Sequence, residues 1–313
     1  MNCAKLHIVL LLLFCVGCNE SNEVVENVKL TVSNLPPLKE TEGHYQVWAT
    51  FTTFAKVGAN ASPQHDSGFV SLGEFNVDAN GSVVGRDGNP ARIEIPQGQN
   101  LQLLNDVVIT VQRNGQNQNR GPAIIGGRFR GDASRAIATL DMSYVDALGS
   151  DFSAVSGKYA IIAPTSPADS NSGIWFVDRV SGLVPGLLNL PSLRDWTYEG
   201  WVVDNFDPHR PRYYSTGKFL NANTADFDSA GPGRGPGAGL NFPGQDFINS
   251  VPLKPNLSTP RYSFMITLEP FPDNSSDPFF LQLLASVSAP PAPSTLYNVI
   301  QTHAPQATVV IAR

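Results

Sequence analysis

The sequence predicts an all-β protein made of two tandem β-sandwich domains of immunoglobulin-like type. Three observations lead to this prediction. A set of short phrases occurs twice in the same order, many short segments are rich in β-branched and aromatic residues, and turn-forming residues separate those segments. Only 15% of the residues are charged, and the chain has 27 glycines and 25 prolines, which is a composition typical of an exported β protein.

The repeat consists of four signatures that recur at offsets of 144 to 157 residues. A proline followed by an apolar run comes after the fourth signature in each half of the chain. One match could arise by chance, but four in the same order indicate two copies of one structural unit. The pairs are "NLPPL" (34–38) with "NLPSL" (189–193), "YQVW" (45–48) with "YEGW" (198–201), "SLGEF" (71–75) with "STGKF" (215–219), and "VITVQ" (108–112) with "MITLE" (265–269).

Each copy has an ordinary domain size, and we predict copy 1 at residues 27–155 and copy 2 at residues 156–313. Segments such as "YQVWATFTT" in copy 1 and "YSFMITLE" in copy 2 predict strands, and "RDGNP" is a typical turn between them. At the junction, the apolar "YAIIAP" (159–164) predicts a strand given to copy 2 rather than a loose linker. Many short strands at this spacing favour a sandwich in each copy.

The repeated signatures have a physical interpretation as packing positions. Alternation along a strand places the tyrosine and the tryptophan of Tyr-x-x-Trp on opposite faces, one in the sandwich core and one under a loop or at the rim. Gly73 and Gly217 predict a bulge or a close approach of two backbones. The prolines of "NLPxL" fix the path of the chain into the first long strand.

The order Leu-Pro, Tyr-x-x-Trp, Ser-x-Gly-x-Phe, then Thr-x-Glu-Pro resembles the extracytoplasmic C-terminal domain of anti-sigma-K factors. The match is fuller in copy 2, because copy 1 carries Gln112 and Arg113 where copy 2 carries Glu269 and Pro270. The resemblance implies an extracytoplasmic β-sandwich that senses or binds something. A lipid signal stands where that family has its membrane helix, so the resemblance does not extend to control of transcription.

The first residues have the layout of a bacterial lipoprotein signal. Lys5 precedes an apolar run that is too short to cross a bilayer as a helix, and "CVGC" at its end resembles a lipobox. We therefore predict a signal peptide at residues 1–17, lipidation of Cys18, and an acidic tether at 18–26. An ordinary secretory signal is the alternative. Two or more acyl chains would hold the protein stably on a membrane of the cell envelope.

Location and redox chemistry follow from the same segment. Asn19 does not suggest retention at the inner membrane, so the outer membrane is favoured and exposure at the cell surface stays open. The three cysteines are Cys3, Cys15 and Cys18, so processing would leave no disulfide and no thiolate metal site. The formal net charge of −6 and the lack of a Lys/Arg cluster argue against nucleic-acid binding.

No motif in the sequence predicts catalysis, a metal or a cofactor. There is no G-x-S-x-G elbow, no histidine pair with ligand spacing and no twelve-residue calcium loop, although "DANG" (78–81) and "DNSSD" (273–277) offer carboxylates in turns. The glycine-rich stretch at 231–247 has no phosphate-loop spacing and predicts an inserted loop. Trp48 and Trp201 are core residues in the simplest interpretation, and a ligand-stacking platform is the alternative.

We therefore predict a lipid-anchored envelope protein that acts as a non-catalytic binding or scaffolding module. Its partners would be the membrane, through Cys18, and an envelope protein or a glycan. Tandem modules suit bivalent engagement of such a partner. Two alternatives stay open: a carbohydrate-binding lipoprotein, and a periplasmic hydrolase with an acid pair at the domain interface, because acid pairs form in space rather than in sequence.

Overall fold

The computed structural model confirms the predicted all-β sandwich fold. In the part of the chain that the structure describes, helix is confined to two short 3-10 segments, Leu101–Leu103 and Pro167–Ser172, and to α1 at Ile300–His303. None of the helices in the described ranges combines the length and apolarity needed to cross a membrane. The predicted signal peptide, Cys18 and the tether lie outside the described residues. These are 27–51, 68–114, 120–132, 134–180, 182–250, 253–273, 275–286 and 294–312.

The chain forms short strands throughout, as the turn-rich sequence requires. In copy 1 they are β1 (Asn27–Ser33), β2 (His44–Thr50), β3 (Phe69–Val77), β4 (Val83–Val84), β5 (Asp106–Gln112), β6 (Ala123–Arg128), β7 (Arg130–Gly131) and β8 (Arg135–Leu140). In copy 2 they are β9 (Ser156–Lys158), β10 (Ala160–Ile161), β11 (Gly173–Trp175), β12 (Val177–Asp178), β13 (Val184–Pro185), β14 (Leu187–Leu188), β15 (Trp196–Asp204), β16 (Arg212–Phe219), β17 (Gly244–Asp246), β18 (Tyr262–Pro270), β19 (Gln282–Ala285), β20 (Thr295–Asn298) and β21 (Gln306–Ala312).

The central antiparallel sheets of the two copies have the same strand order and the same register. One runs β4-β3-β2-β5-β6 and the other contains β19-β18-β15-β16. Tyr45 lies opposite Phe75 and Val111, and Tyr198 lies opposite Phe219 and Leu268. The repeated phrases therefore occupy equivalent positions in three dimensions, which accounts for their recurrence.

The last strand of copy 2 lies in the sheet of copy 1, whereas the first strand of copy 2 lies in its own sheet. After β8 the chain continues into β9, which pairs with β14 and β20 of copy 2. After β20 it continues into β21, which lies between β1 and β8 of copy 1. The order of the four-stranded sheet is β1-β21-β8-β7. The "YAIIAP" segment also pairs within copy 2, since β10 lies beside β11.

The "NLPxL" phrase of each copy hydrogen-bonds to the chain just before β21 or just before β9. Asn34 and Asn189 both have a left-handed backbone, with φ of 57° and 59°. The Asn34 amide donates to the carbonyl of Ala304 just before β21, and the Asn189 amide donates to the carbonyl of Ala154 just before β9. The prolines turn their carbonyls inward, where Pro36 O accepts the Tyr45 hydroxyl at 2.9 Å and Pro191 O accepts the Tyr198 hydroxyl at 2.6 Å.

The predicted roles of Gly73 and Gly217 are confirmed. The pairing of β2 with β3 and of β15 with β16 shifts register beside each glycine, as at a β-bulge. Gly73 has a φ of +148°, and a Cβ there would lie 2.2 Å from the carbonyl oxygen of Arg92. Gly217 has a φ of +104°, and its Cβ would lie 2.5 Å from the Asp226 side chain.

One apolar core runs through both copies. It contains Tyr45 and Phe75 from copy 1 together with Tyr198 and Phe219 from copy 2. At the junction, the Trp196 indole donates to the carbonyl of Ala123 at 3.3 Å. The two sandwiches therefore share buried surface, and a cleft forms where their loops meet.

Candidate functional site

The candidate site is a cleft of about 390 Å³ at the junction of the two copies. Copy 1 supplies the loop before β2 and the end of β5. Copy 2 supplies the end of β18 and the loop that follows it. A salt bridge of 2.7 Å between Lys39 and Asp277 joins the two walls. The lining residues are Glu40, Thr41, Glu42, Arg113, Asn114, Glu269, Pro270, Asp273, Ser275, Asp277 and Phe279.

Three carboxyl groups meet at the copy 2 wall of this cleft. Glu199 on β15 lies opposite Thr267 on β18, and Glu269 is two residues further along β18, on the same face. Asp273 reaches the same point from the loop after β18. One oxygen from each of these three side chains lies within 4.8 Å of the others. We call Glu199, Glu269 and Asp273 the acid cluster.

Lys218 provides the positive charge for this cluster. It lies opposite Glu199 on β16, with Nζ 3.0 Å from Glu199 Oε2 and 3.4 Å from Asp273 Oδ2. Burial by itself would lower the pKa of Lys218, but the charges and hydrogen bonds of Glu199 and Asp273 outweigh it and raise that pKa. The lysine therefore stays charged, and it partly compensates the burial of the carboxylates.

Glu269 is the most buried member, with none of its surface exposed. Its oxygens accept the Phe279 N–H at 3.0 and 3.2 Å, and one also accepts the Thr267 hydroxyl. The pKa of Glu269 is raised to about 8, chiefly by burial; the nearby Glu199 and Asp273 also raise it, and the hydrogen bonds from Thr267 and the Phe279 N–H lower it. Burial also raises the pKa of Glu199. The cluster can therefore hold a proton near neutral pH.

Oxygen ligands at this spacing are of the type that hard cations bind. The Lys218 ammonium already contacts Glu199 and Asp273, so a metal ion would have to compete with a charge that the chain itself supplies. The site thus consists of the buried Glu269 carboxyl group beside Glu199 and Asp273, which both contact the Lys218 ammonium. Arg113 and Phe279 also line the cleft.

Copy 1 has no acid cluster at the equivalent place. Gln46 occupies the position of Glu199, Gln112 that of Glu269, and Glu74 that of Lys218. Gln46 donates to Ser71 Oγ at 2.7 Å, whereas in copy 2 the Ser215 hydroxyl donates to Glu199 Oε1 at 2.5 Å. The fold therefore does not require the acids. Aligning the two copies by their signatures could have identified Glu199 and Glu269 as charged exceptions at buried positions.

The predicted ligand residues Trp48 and Trp201 lie away from the cleft and are buried, with 6% and 1% of their surface exposed. Their indoles donate to Thr110 Oγ1 at 3.0 Å and Thr267 Oγ1 at 2.9 Å. As predicted, each tryptophan packs on the face opposite its tyrosine, in a small apolar cluster of its own. A ligand-stacking role requires an exposed ring face, and both rings are buried in this structure. The ligand-stacking role stays a prediction.

The remaining sequence candidates fall in different places. Asp78 of "DANG" accepts the Asn80 and Ser82 N–H groups and forms an ordinary turn. Asp273 of "DNSSD" joins the acid cluster, which the sequence alone did not reveal. The inserted glycine-rich loop packs back on the protein, where the Gly235 N–H donates to Thr165 Oγ1 at 3.0 Å.

Comparison with known protein families, with characterised proteins and with solved structures finds no match for this chain.

Proposed function

We propose that this protein is a lipid-anchored, non-catalytic binding module of the cell envelope, and that the cleft between its two copies is its ligand site. The observation that carries the proposal is the cleft itself. It lies where two otherwise matching copies meet, it is lined by charged residues from both, and its size falls within the range of small-ligand sites.

The anchor and the location rest on the sequence. The lipobox-like "CVGC" supports lipidation of Cys18, and the tether would place the β domains close to the membrane. The outer membrane is the favoured membrane, with surface exposure as the alternative. The resemblance to anti-sigma-K extracytoplasmic domains supports a sensing or binding role of this module, with an envelope protein or a glycan as partner.

The test is crosslinking on intact cells followed by mass spectrometry of the captured molecules. The cleft is blocked with Thr41→Trp, an exposed lining residue, and the matched control is Thr224→Trp at an exposed site outside the cleft lining. We expect the unmodified chain and the control to capture the same envelope component, and Thr41→Trp to lose it. A Cys18→Ala chain tests whether capture needs the anchor. Equal capture by the Thr41→Trp and Thr224→Trp chains would contradict the proposal.

A hydrolase is the second candidate, and the acid cluster favours it. Glu269, whose pKa is raised to about 8, lies close to two further carboxyl groups, and a hydrolase needs an acid and a base at such short range. Against this, Glu269 is fully buried and already accepts the Phe279 N–H. Incubation with peptidoglycan and soluble polysaccharides decides between the binding module and the hydrolase. The Asp273→Asn chain is the matched inactive control. Product that forms with the unmodified chain and not with Asp273→Asn would favour the hydrolase.

A further inference from the structure

Lys218 is a partly buried lysine whose ammonium contacts two carboxyl groups of the acid cluster. Its Nζ lies 3.0 Å from Glu199 Oε2 and 3.4 Å from Asp273 Oδ2. The lysine side chain is 22% exposed, and the two carboxylate side chains are 2% and 9% exposed. Water therefore has little access to these three groups. We call Lys218, Glu199 and Asp273 the Lys218 triad.

Two other lysine–aspartate pairs are closer together but more open to solvent. Lys158 lies 2.6 Å from Asp178 with its side chain 48% exposed, and Lys39 lies 2.7 Å from Asp277 with its side chain 61% exposed. Neither of these ammonium groups forms a salt bridge with a second carboxylate of the described residues. The Lys218 triad differs from them because it holds one amine and two carboxyl groups together away from water.

The surroundings give the two carboxyl groups of the triad different roles. Glu199 is fixed within β15, where its Oε1 accepts the Ser215 hydroxyl at 2.5 Å. Burial raises the pKa of Glu199, which makes it a better acceptor for a proton from the ammonium. Asp273 comes from the loop after β18, where its Oδ1 accepts the Ser275 N–H at 3.0 Å while Oδ2 faces Lys218.

The distance from Lys218 to Asp273 is close to what a reaction needs. Attack geometry requires about 3–3.5 Å between the reacting atoms. Lys218 Nζ is 3.4 Å from Asp273 Oδ2, which is bonded to the carboxyl carbon that an amine would attack. A small movement of the loop therefore separates the observed contact from an attack on that carbon.

The fold does not require this set of residues. In copy 1 the paired positions of Glu199 and Lys218 are taken by Gln46 and Glu74. The same two strands thus pair without a lysine at this place. The Lys218 triad is a feature added to copy 2, and the sheet by itself does not explain it.

We propose that Lys218 and Asp273 form an intramolecular amide bond, with Glu199 as the base. Glu199 accepts a proton from the ammonium, and the neutral amine attacks the Asp273 carboxyl carbon. A C–N bond forms and one C–O bond breaks. The oxygen leaves as water, and both of its hydrogens come from the ammonium. Glu199 ends as a carboxylate again, and nothing is oxidised or reduced. The charged lysine described above is the state before this bond forms.

The bond would join β16 to the loop after β18, across the intervening strand β15. A covalent link of this kind restricts the unfolded chain, as a disulfide does. It also removes one positive and one negative charge from a place that water hardly reaches, and it leaves an N–H donor beside Glu199. The bond does not depend on the function proposed for the cleft.

The test is tryptic peptide mapping of the denatured full chain by mass spectrometry. If Lys218 is free, trypsin releases residues 213–218 and 262–313 as separate peptides. If the bond has formed, trypsin cannot cut after Lys218, and residues 213–234 stay joined to 262–313 at the sum of the two masses less one water. We expect the joined peptide from most of the unmodified chain. Recovery of the separate peptides alone would show that the proposal is wrong.

Three variants assign the atoms. Lys218→Arg keeps the charge but has no amine that can be acylated, and Asp273→Ala removes the acceptor, so both should abolish the joined peptide. Glu199→Gln keeps the shape but removes the base, and it should slow formation of the joined peptide by at least about a hundredfold. Lys158→Arg, at a solvent-open pair, is the matched control and should leave the joined peptide unchanged.

The map also identifies the acceptor. A joined peptide that contains residues 195–212 in place of 262–313 would make Glu199 the acceptor and overturn the assignment of Asp273. A joined peptide that persists undiminished in the Asp273→Ala chain would overturn it as well. The unmodified chain decides the question even if a variant fails to fold, because its own peptides report whether the bond exists.

Discussion

Copy 1 and copy 2 share a scaffold but differ in what they bury. The tyrosine, the bulge glycine and the indole–threonine hydrogen bond coincide in the two copies. At the equivalent core-flanking positions, copy 1 buries glutamines whereas copy 2 buries glutamates with a lysine. The difference teaches that the repeated phrases encode the fold, while the residues that break the repeat are the candidates for function.

The largest effect should come from removing β21, the strand of copy 2 that lies in the sheet of copy 1. A chain that ends at Pro305 lacks β21, which lies between β1 and β8 and buries Val309 and Ile311. Removing a central strand exposes the core of copy 1, so we expect the cooperative fold of that copy to be lost.

Hydrogen exchange measures this effect strand by strand. Amides of β1 and β8 should lose protection first, and Thr308→Ser in the full chain is the mild control within the same strand. Protection that persists in β1 and β8, with loss confined to β15 and β18, would contradict the place of β21 in the sheet of copy 1.

The next largest effect should come from removing the lysine of the acid cluster. Lys218→Met leaves Glu199, which is 2% exposed, without its cation, and uncompensated buried charges of this kind cost about 3–5 kcal/mol. The equivalent copy 1 change, Glu74→Gln, affects a side chain that is 30% exposed and should cost less than about 1 kcal/mol. Urea denaturation gives both free energies of unfolding.

A double variant sharpens this comparison. Lys218→Met with Glu199→Gln restores the neutral glutamine that copy 1 uses at Gln46, and it should recover part of the lost stability. If the double variant is less stable than Lys218→Met alone, electrostatic compensation is not the reason for the cost.

The next largest loss of stability should come from replacing the glycines at the β-bulges. Gly73→Ala places a Cβ against the backbone carbonyl of Arg92, and Gly217→Ala places one against the Asp226 side chain, which can shift more easily. Both residues also have a positive φ, so each change should cost about 1–3 kcal/mol, with Gly73→Ala the more harmful. Gly81→Ala, where a Cβ meets nothing within 4 Å, isolates the strain of the positive φ. Thermal melting compares the three, and a greater loss at Gly217 would show that the assumed flexibility of Asp226 is wrong.

A further difference should be a pH dependence that belongs to copy 2. The pKa of Glu269 rises from its ordinary value of 4.5 to about 8 on folding, so the unfolded chain releases this proton at lower pH than the folded chain. Stability should therefore be fully present below pH 4.5 for this group and should fall as the pH rises towards about 8. Glu269→Gln, which copies Gln112, should flatten that decline.

Urea denaturation at several pH values between 5 and 8 makes the measurement. Burial also raises the pKa of Asp226 to about 8. Asp226 adds the same pH dependence to the unmodified chain and to the Glu269→Gln chain, so its effect cancels when the two free energies of unfolding are subtracted. Parallel curves for the Glu269→Gln chain and the unmodified chain would mean that Glu269 is ionised in the folded protein.

The sequence by itself determined the all-β fold and the equivalence of the two copies, because short strands, turn residues and bulge glycines are local signals that repeat at nearly constant offsets. Tertiary structure alone decided that β21 completes the sheet of copy 1, since the pattern of a short strand does not name its partner. It also decided the positions of the three side chains of the acid cluster. Glu199 and Glu269 are 70 residues apart in the chain and meet only through the pairing of β15 with β18, and their raised pKa values arise from burial, which sequence does not measure.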